Sequence, residues 1–462
     1  MTAARNKESG DNDGAVLQFR VKRASLWFGF AAVLVPMGLF ALGTPASAQS
    51  PADFSASLNP LFLTNLTRPS DLTNTLQYAA NASVDDVESA IGTYEQLLFY
   101  NPSLSKIRFE LGVLYYRLGS YEMSRGYFRS ALEQRDISPA LRQRTEDLLA
   151  EVDKQLMADR FTGFVQTGVG YQTNPGGGPG PGTVLASGRS FDSRFFAKGD
   201  GNWFGAFAVN YVHDFENQRG DTFEATLQGY DAQQFSLHQF DIGTLALRAG
   251  PRFVLTPGSP YAVSIKPYFV VNGALLANTI YSGGAGGGVT MHATVGDVLL
   301  DPFAEVVQQS FRNSTFYPLA SNLSGPLSTV GLQASGPIAS GLGWQARGAF
   351  AHSTANFGPD SYDAFAADFW LPWNFSLLGD GRLWTITPIA GFTHWQYNAP
   401  DPTIDPLNTP HTTEWRAGLG LDVPLWNKVY MSMLVQYRAD TSNVQAFTMH
   451  DFAISGGPTF KF

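Results

Sequence analysis

From residue 160 to residue 462 apolar and polar positions alternate in steps of two, and turn residues break the alternation into fourteen runs. They span 161–172, 203–215, 221–231, 240–255, 261–273, 282–295, 299–311, 327–338, 342–355, 362–375, 383–398, 413–426, 429–440 and 450–462. The connections sort by parity. After the even runs come "ENQRG", "TPGSP", "GD", "ASG", "LLGDG" and "NK", whereas "APDPTIDPLNTPHT" and residues 173–202 follow odd ones. Fourteen half-apolar strands joined by alternating short turns and long loops predict an all-β transmembrane barrel of about 14 antiparallel strands over 159–462. The pleat then sets facing: Trp415, Ala417, Leu419, Leu421 and Val423 point to lipid, and Arg416, Gly418, Gly420 and Asp422 to the lumen. Met431, Met433, Val435 and Tyr437 also point outward. Trp373 and Trp426 fall at short turns and Trp395 and Tyr397 near a long loop, where aromatic girdles are expected.

Helical spacing survives only in residues 85–158. Ala90, Tyr94, Leu97 and Pro102 are followed by Ser124, Phe128, Ala131 and Pro139, and 90 to 124 is the 34-residue period of a tetratricopeptide repeat. With Leu111, Gly112 and Tyr115 between them, "FELGVLYYRLGSYEMSRGYFRSAL" resembles one complete repeat of that family. The small residues sit where its two helices must pack closely. "NTLQYAANA", within a linker and degenerate first helix at 49–84, lacks the expected Leu-Gly pair, and "PALRQRTEDLLAEVDKQLMADR" reads as a solvating cap helix.

Composition agrees with a lipid-facing barrel: 15% of residues are charged, 13% aromatic, and 47 are glycine. A mean hydropathy of −0.09 excludes a bundle of membrane helices. Basic Arg20, Lys22 and Arg23, an apolar stretch from Ala24 to Leu42 and the ending Ala46-Ser47-Ala48 read as a secretory signal over 1–48. That segment holds five basic and three acidic residues, so its removal takes the formal charge from −9 to −11. A chain this acidic is a poor nucleic-acid binder. The absence of cysteine removes disulfides and thiolate chemistry.

In the last run Phe452, Ile454, Gly456, Pro458, Phe460 and Phe462 share one face. Phe460 and Phe462 look like the terminal aromatic signal by which barrel-insertion machinery recognises outer-membrane proteins. Repeats in the periplasm joined to a fourteen-stranded barrel resemble the surface lipoprotein assembly modifiers, as does "GVGYQTNPGG" at Gly168–Gly177, similar to that family's aromatic-x-x-Asn barrel opening. The resemblance implies a noncatalytic translocator in the outer membrane of a Gram-negative bacterium, with a periplasmic or secreted client protein as its partner. A polysaccharide-export porin, whose repeats dock a synthase, is the alternative.

The remaining chemistry is charge in the lumen. Glu224, Arg248, Arg252, Lys266, Glu305, Arg347, Asp368, Arg416 and Arg438 alternate inward, where they either guide an acidic cargo or brace the wall as ion pairs. An enzyme needs a nucleophile beside a base, or clustered ligands. The seven histidines, His213, His238, His292, His352, His394, His411 and His450, have no ligand spacing, no G-x-S-x-G occurs, and "GGAGGG" at Gly283–Gly288 lacks the Lys of a phosphate loop. No catalytic residue, metal or cofactor is therefore expected.

Overall fold

The computed structural model describes residues 87–186, 191–217, 219–257, 263–377 and 382–462; the expected signal peptide (1–48) and the segment 49–84 lie outside them. The described chain divides near Arg160 into a helical unit and a barrel.

The helical unit holds α1 (Val87–Tyr100), α2 (Ser105–Arg117), α3 (Tyr121–Leu132) and α4 (Pro139–Gln155). Between α1 and α2, Ala90, Tyr94 and Leu97 bury against Ile107, Leu111 and Leu114. On the other side of α2, Phe109 meets Phe128 and Val152. Gly112 makes this possible, because a Cβ there would lie 2.5 Å from the Phe128 ring. The Ser124 hydroxyl donates to the Gly112 carbonyl at 2.7 Å, satisfying a buried group where the two helices meet. Gly119, at φ +72°, ends α2 in the left-handed conformation, and Pro139 opens α4 where no N–H is needed. Ala131 is fully buried on α3, and the carbonyl of Pro102, at the α1–α2 turn, accepts from Arg108. The Tyr115 and Tyr127 hydroxyls both donate to Glu95 Oε1, at 2.9 and 3.0 Å, with their rings stacked at 5.4 Å.

All fourteen sequence-predicted strands are present: β1 (Asp159–Gln172), β2 (Asp200–Asp214), β3 (Thr222–Gln234), β4 (Ile242–Val254), β5 (Val263–Leu276), β6 (Thr279–Val295) and β7 (Val298–Phe311). They continue with β8 (Gly325–Ala339), β9 (Leu342–Ser353), β10 (Tyr362–Trp370, resuming as Trp373–Phe375 beyond Leu371-Pro372), β11 (Trp384–Tyr397), β12 (His411–Trp426), β13 (Val429–Ser442) and β14 (Met449–Lys461). Each pairs antiparallel with its neighbours, and β14 returns to β1 in register from Phe164 opposite Lys461 to Gln172 opposite Ala453. The sheet is closed and has no free edge. Phe462 extends the seam by exchanging both backbone hydrogen bonds with Gly163.

Pleating divides the side chains. On β5, Phe269 and Val271 are exposed on the barrel exterior while Val270 and Asn272 are buried inside. An apolar exterior on a closed antiparallel barrel is the surface of a protein immersed in lipid. Trp373 and, at 70% exposure, Trp426 stand outward at the end with the short turns. Near the opposite, far end the outward aromatics are Trp203 and Phe235, edge to face at 6.2 Å. Trp395 and Tyr397 are not part of a girdle. Trp395 is 2% exposed and packs inside the barrel with Tyr362, Ala364 and Tyr397, because it shares the parity of inward Thr393, whereas Phe392 takes the outward place against Trp415. One far-end connection is also shorter than the sequence suggests: β5 and β6 extend until only Ala277 and Asn278 join them, at φ 51° and 57°, as in the tightest hairpin turns.

Candidate functional site

The lumen is the place where this fold collects chemistry. All nine sequence-predicted charges point into it, and eight are in ion pairs. Arg248 on β4 reaches Glu305 on β7 at 2.9 Å, and Tyr268 donates to the same carboxylate at 3.1 Å. Glu224 on β3 takes Arg252 at 3.2 Å and Lys266 at 2.9 Å. Arg416 on β12 joins Asp368 on β10 at 2.6 Å and is also bound to Glu414. Arg438 on β13 stands 3.7 Å from Glu414. These pairs skip over intervening strands, which only inward side chains can do.

The Arg416–Asp368 contact passes over β11 at Gly391, where a Cβ would come within 2.6 Å of Asp368 Oδ1 and 2.8 Å of Arg416 Nε. Arg347 is different. It has no carboxylate within ion-pair distance among the described residues, and its guanidinium lies 5.3 Å over the Phe303 ring. Pairing accounts for the other eight as braces of the wall, which leaves Arg347 as the lumen cation open to a passing anion.

Several members of this network are missing from the sequence-derived set. Glu414 is fully buried between two arginines; Asp440, Asp422 with Lys461 at 2.9 Å, and Asp301 with His292 at 2.6 Å complete the lining. Their signal was the same parity: Glu414 lies two residues before Arg416 on one face of one strand.

The far end carries a second feature with no counterpart in the strand pattern. Leu185 and Phe195 from the β1–β2 loop, Phe240 from β3–β4, Tyr317 and Leu323 from β7–β8, Ile404 from β11–β12 and Val444 from β13–β14 form one apolar core. Five loops thus meet at one end of the barrel. Phe195 packs against both Phe240 and Tyr317, at 6.0 and 5.8 Å, and the Tyr317 hydroxyl donates to the Gln239 carbonyl at 2.8 Å. The β1–β2 loop is anchored by Asn174, buried, whose side chain both donates to and accepts from the Gly178 backbone while its N–H donates to Asp451. The "TNPGG" stretch is therefore the hinge of this core.

Beneath the core lies a cavity of about 180 Å³, lined by Gln172, Asn202, Tyr230, Gln234, Phe240, Gln436 and Arg438 among others. The described residues include no group of three or more His, Asp or Glu arranged to hold a metal.

No protein-family model matches the chain, and no curated protein matches it. Solved structures do. The outer membrane protein opdK from Pseudomonas aeruginosa is 8% identical with a TM-score of 0.33, covering 65% of this chain and 98% of that one. CdiB from Escherichia coli is 10% identical at a TM-score of 0.36, covering 64% and 63%, and the anion-selective porin from Comamonas acidovorans is 9% identical at 0.31, covering 66% and 99%. At these scores the architecture rests on the chain's own strand pairing.

Proposed function

We propose that this chain is a noncatalytic outer-membrane barrel that exports or displays a client at the cell surface, with the helical unit in the periplasm as the recruiting element. The observation that carries the reading is the apolar core built by five far-end loops. A pore for continuous diffusion works through a hydrated mouth, whereas loops that bury phenylalanines against one another must be displaced before anything sizeable passes. Passage is then coupled to a client. The closed, lipid-faced barrel supports membrane insertion by the barrel-assembly machinery, and the long loops at the end opposite both ends of the barrel chain support their placement outside. The layout shared with surface lipoprotein assembly modifiers supports a protein client. A polysaccharide client is the second reading, favoured by the carboxamides in the cavity below the loops.

Deleting residues 85–158 tests the proposal. Every strand pairs only within the barrel, so the truncated protein should still insert, while surface exposure of the client is lost. Surface lipoproteins and surface polysaccharide measured side by side tell the two clients apart, and unchanged levels of both would leave the export reading without support.

A further inference from the structure

The cavity under the loop core is walled by four carboxamides with nothing to bind. Gln172, Asn202, Gln234 and Gln436 make no side-chain hydrogen bond with any described residue, although Asn202 and Gln234 are each only 4% exposed and Gln234 Oε1 is sealed from solvent without a partner. Buried amides left unpaired cost about 1–3 kcal/mol each, so a wall holding several is built around something else that bonds to them. Beside them Arg438 is only loosely held. Its nearest carboxylate oxygens are 3.7 and 4.0 Å away, beyond hydrogen-bond length, leaving guanidinium N–H groups for an acceptor. Tyr230 adds a ring to the lining.

We propose that this cavity binds one neutral, hydroxyl-rich sugar ring, either free or as the end residue of a glycan chain. Carboxamides both donate and accept, which suits hydroxyl groups that do the same, and an aromatic face covers the apolar side of a pyranose. Charge rules out the main competitor: the nearby guanidiniums of Arg416 and Arg438 are outnumbered by Asp368, Glu414, Asp440 and Asp451, so an anion gains nothing here. Size limits the rest, since 180 Å³ is smaller than the roughly 300 Å³ at which pockets for larger ligands begin. The inference is independent of what crosses the barrel.

Saturation-transfer NMR on the full-length protein in detergent, with glucose, galactose and N-acetylglucosamine as probes, tests it directly. At least one should bind saturably in the millimolar range, and Gln234→Leu and Gln436→Ala should each weaken it about tenfold. Heat-modifiable migration shows whether each variant is a folded barrel, and Gln436→Ala, which removes a half-buried side chain, keeps the test alive if Gln234→Leu fails to assemble. Binding of a free reducing sugar but not of a matching oligosaccharide marks the free form; equal binding of both marks a chain end. No saturable binding by any probe, or binding that neither variant changes, overturns the proposal.

Discussion

Arg416 is held between Asp368 and Glu414 in the dry side of the lumen, and its replacement leaves two buried carboxylates without their cation. Arg416→Gln should cost about 3–5 kcal/mol, read as a lower urea midpoint of the detergent-solubilised barrel. Arg347→Gln should cost about 1 kcal/mol or less, since only the contact with Phe303 is lost. Two inward arginines of the same sequence pattern thus separate by what faces them. Gly391→Val belongs with the first, because its side chain would occupy the space in which the Arg416–Asp368 pair sits. Equal midpoints for Arg416→Gln and Arg347→Gln would mean that the ion pairs do not brace the wall.

Among the elements, α1, α2 and α3 are tied by the two tyrosines on Glu95. Burial, and then the hydrogen bond to this carboxylate, push the Tyr127 hydroxyl up to about 12, and Tyr115 moves in the same direction. A raised folded value means that the contribution is complete below about pH 10, the unfolded value, and fades as pH rises through about 12. Circular dichroism of the helical signal should therefore lose thermal stability above pH 10, and Tyr127→Phe should flatten that loss.

The loops give a sidedness test. Leu407, 87% exposed on the β11–β12 loop, accepts a tag without disturbing the apolar core, which "NPGGGPGPGT" does not, as Gly178 lies against the Phe195 carbonyl. Antibody should reach the Leu407 tag on intact cells, and a tag within 215–221 only after permeabilisation. The reverse result inverts the topology.

Strands were legible because each one has a lipid face and a lumen face, a difference of solvent that alternation records residue by residue. Lumen facing was legible for the same reason. Trp395 shows where residue type misleads: its position near a strand end suggested an interface anchor, while its parity already placed it inside. The loop core was not legible, since Phe195, Phe240, Tyr317 and Val444 come from four separate loops with no common period. The carboxamides of the cavity share that property, each being one ordinary inward residue of its strand.

At the scale of the molecule the account joins a barrel whose wall is braced by ion pairs to a far end occupied by folded loops. The helical unit and the barrel have separate cores, so the barrel should assemble without the helices and the helices should remain soluble without the barrel. The loop core decides what kind of barrel this is. Single-channel recording in planar bilayers measures it: the intact protein should show little steady conductance, and the double variant Phe195→Ala, Tyr317→Ala, which empties the centre of the loop core, should conduct severalfold more. A large, steady conductance of the intact protein, unchanged in that variant, would contradict a closed mouth and make the chain an open pore.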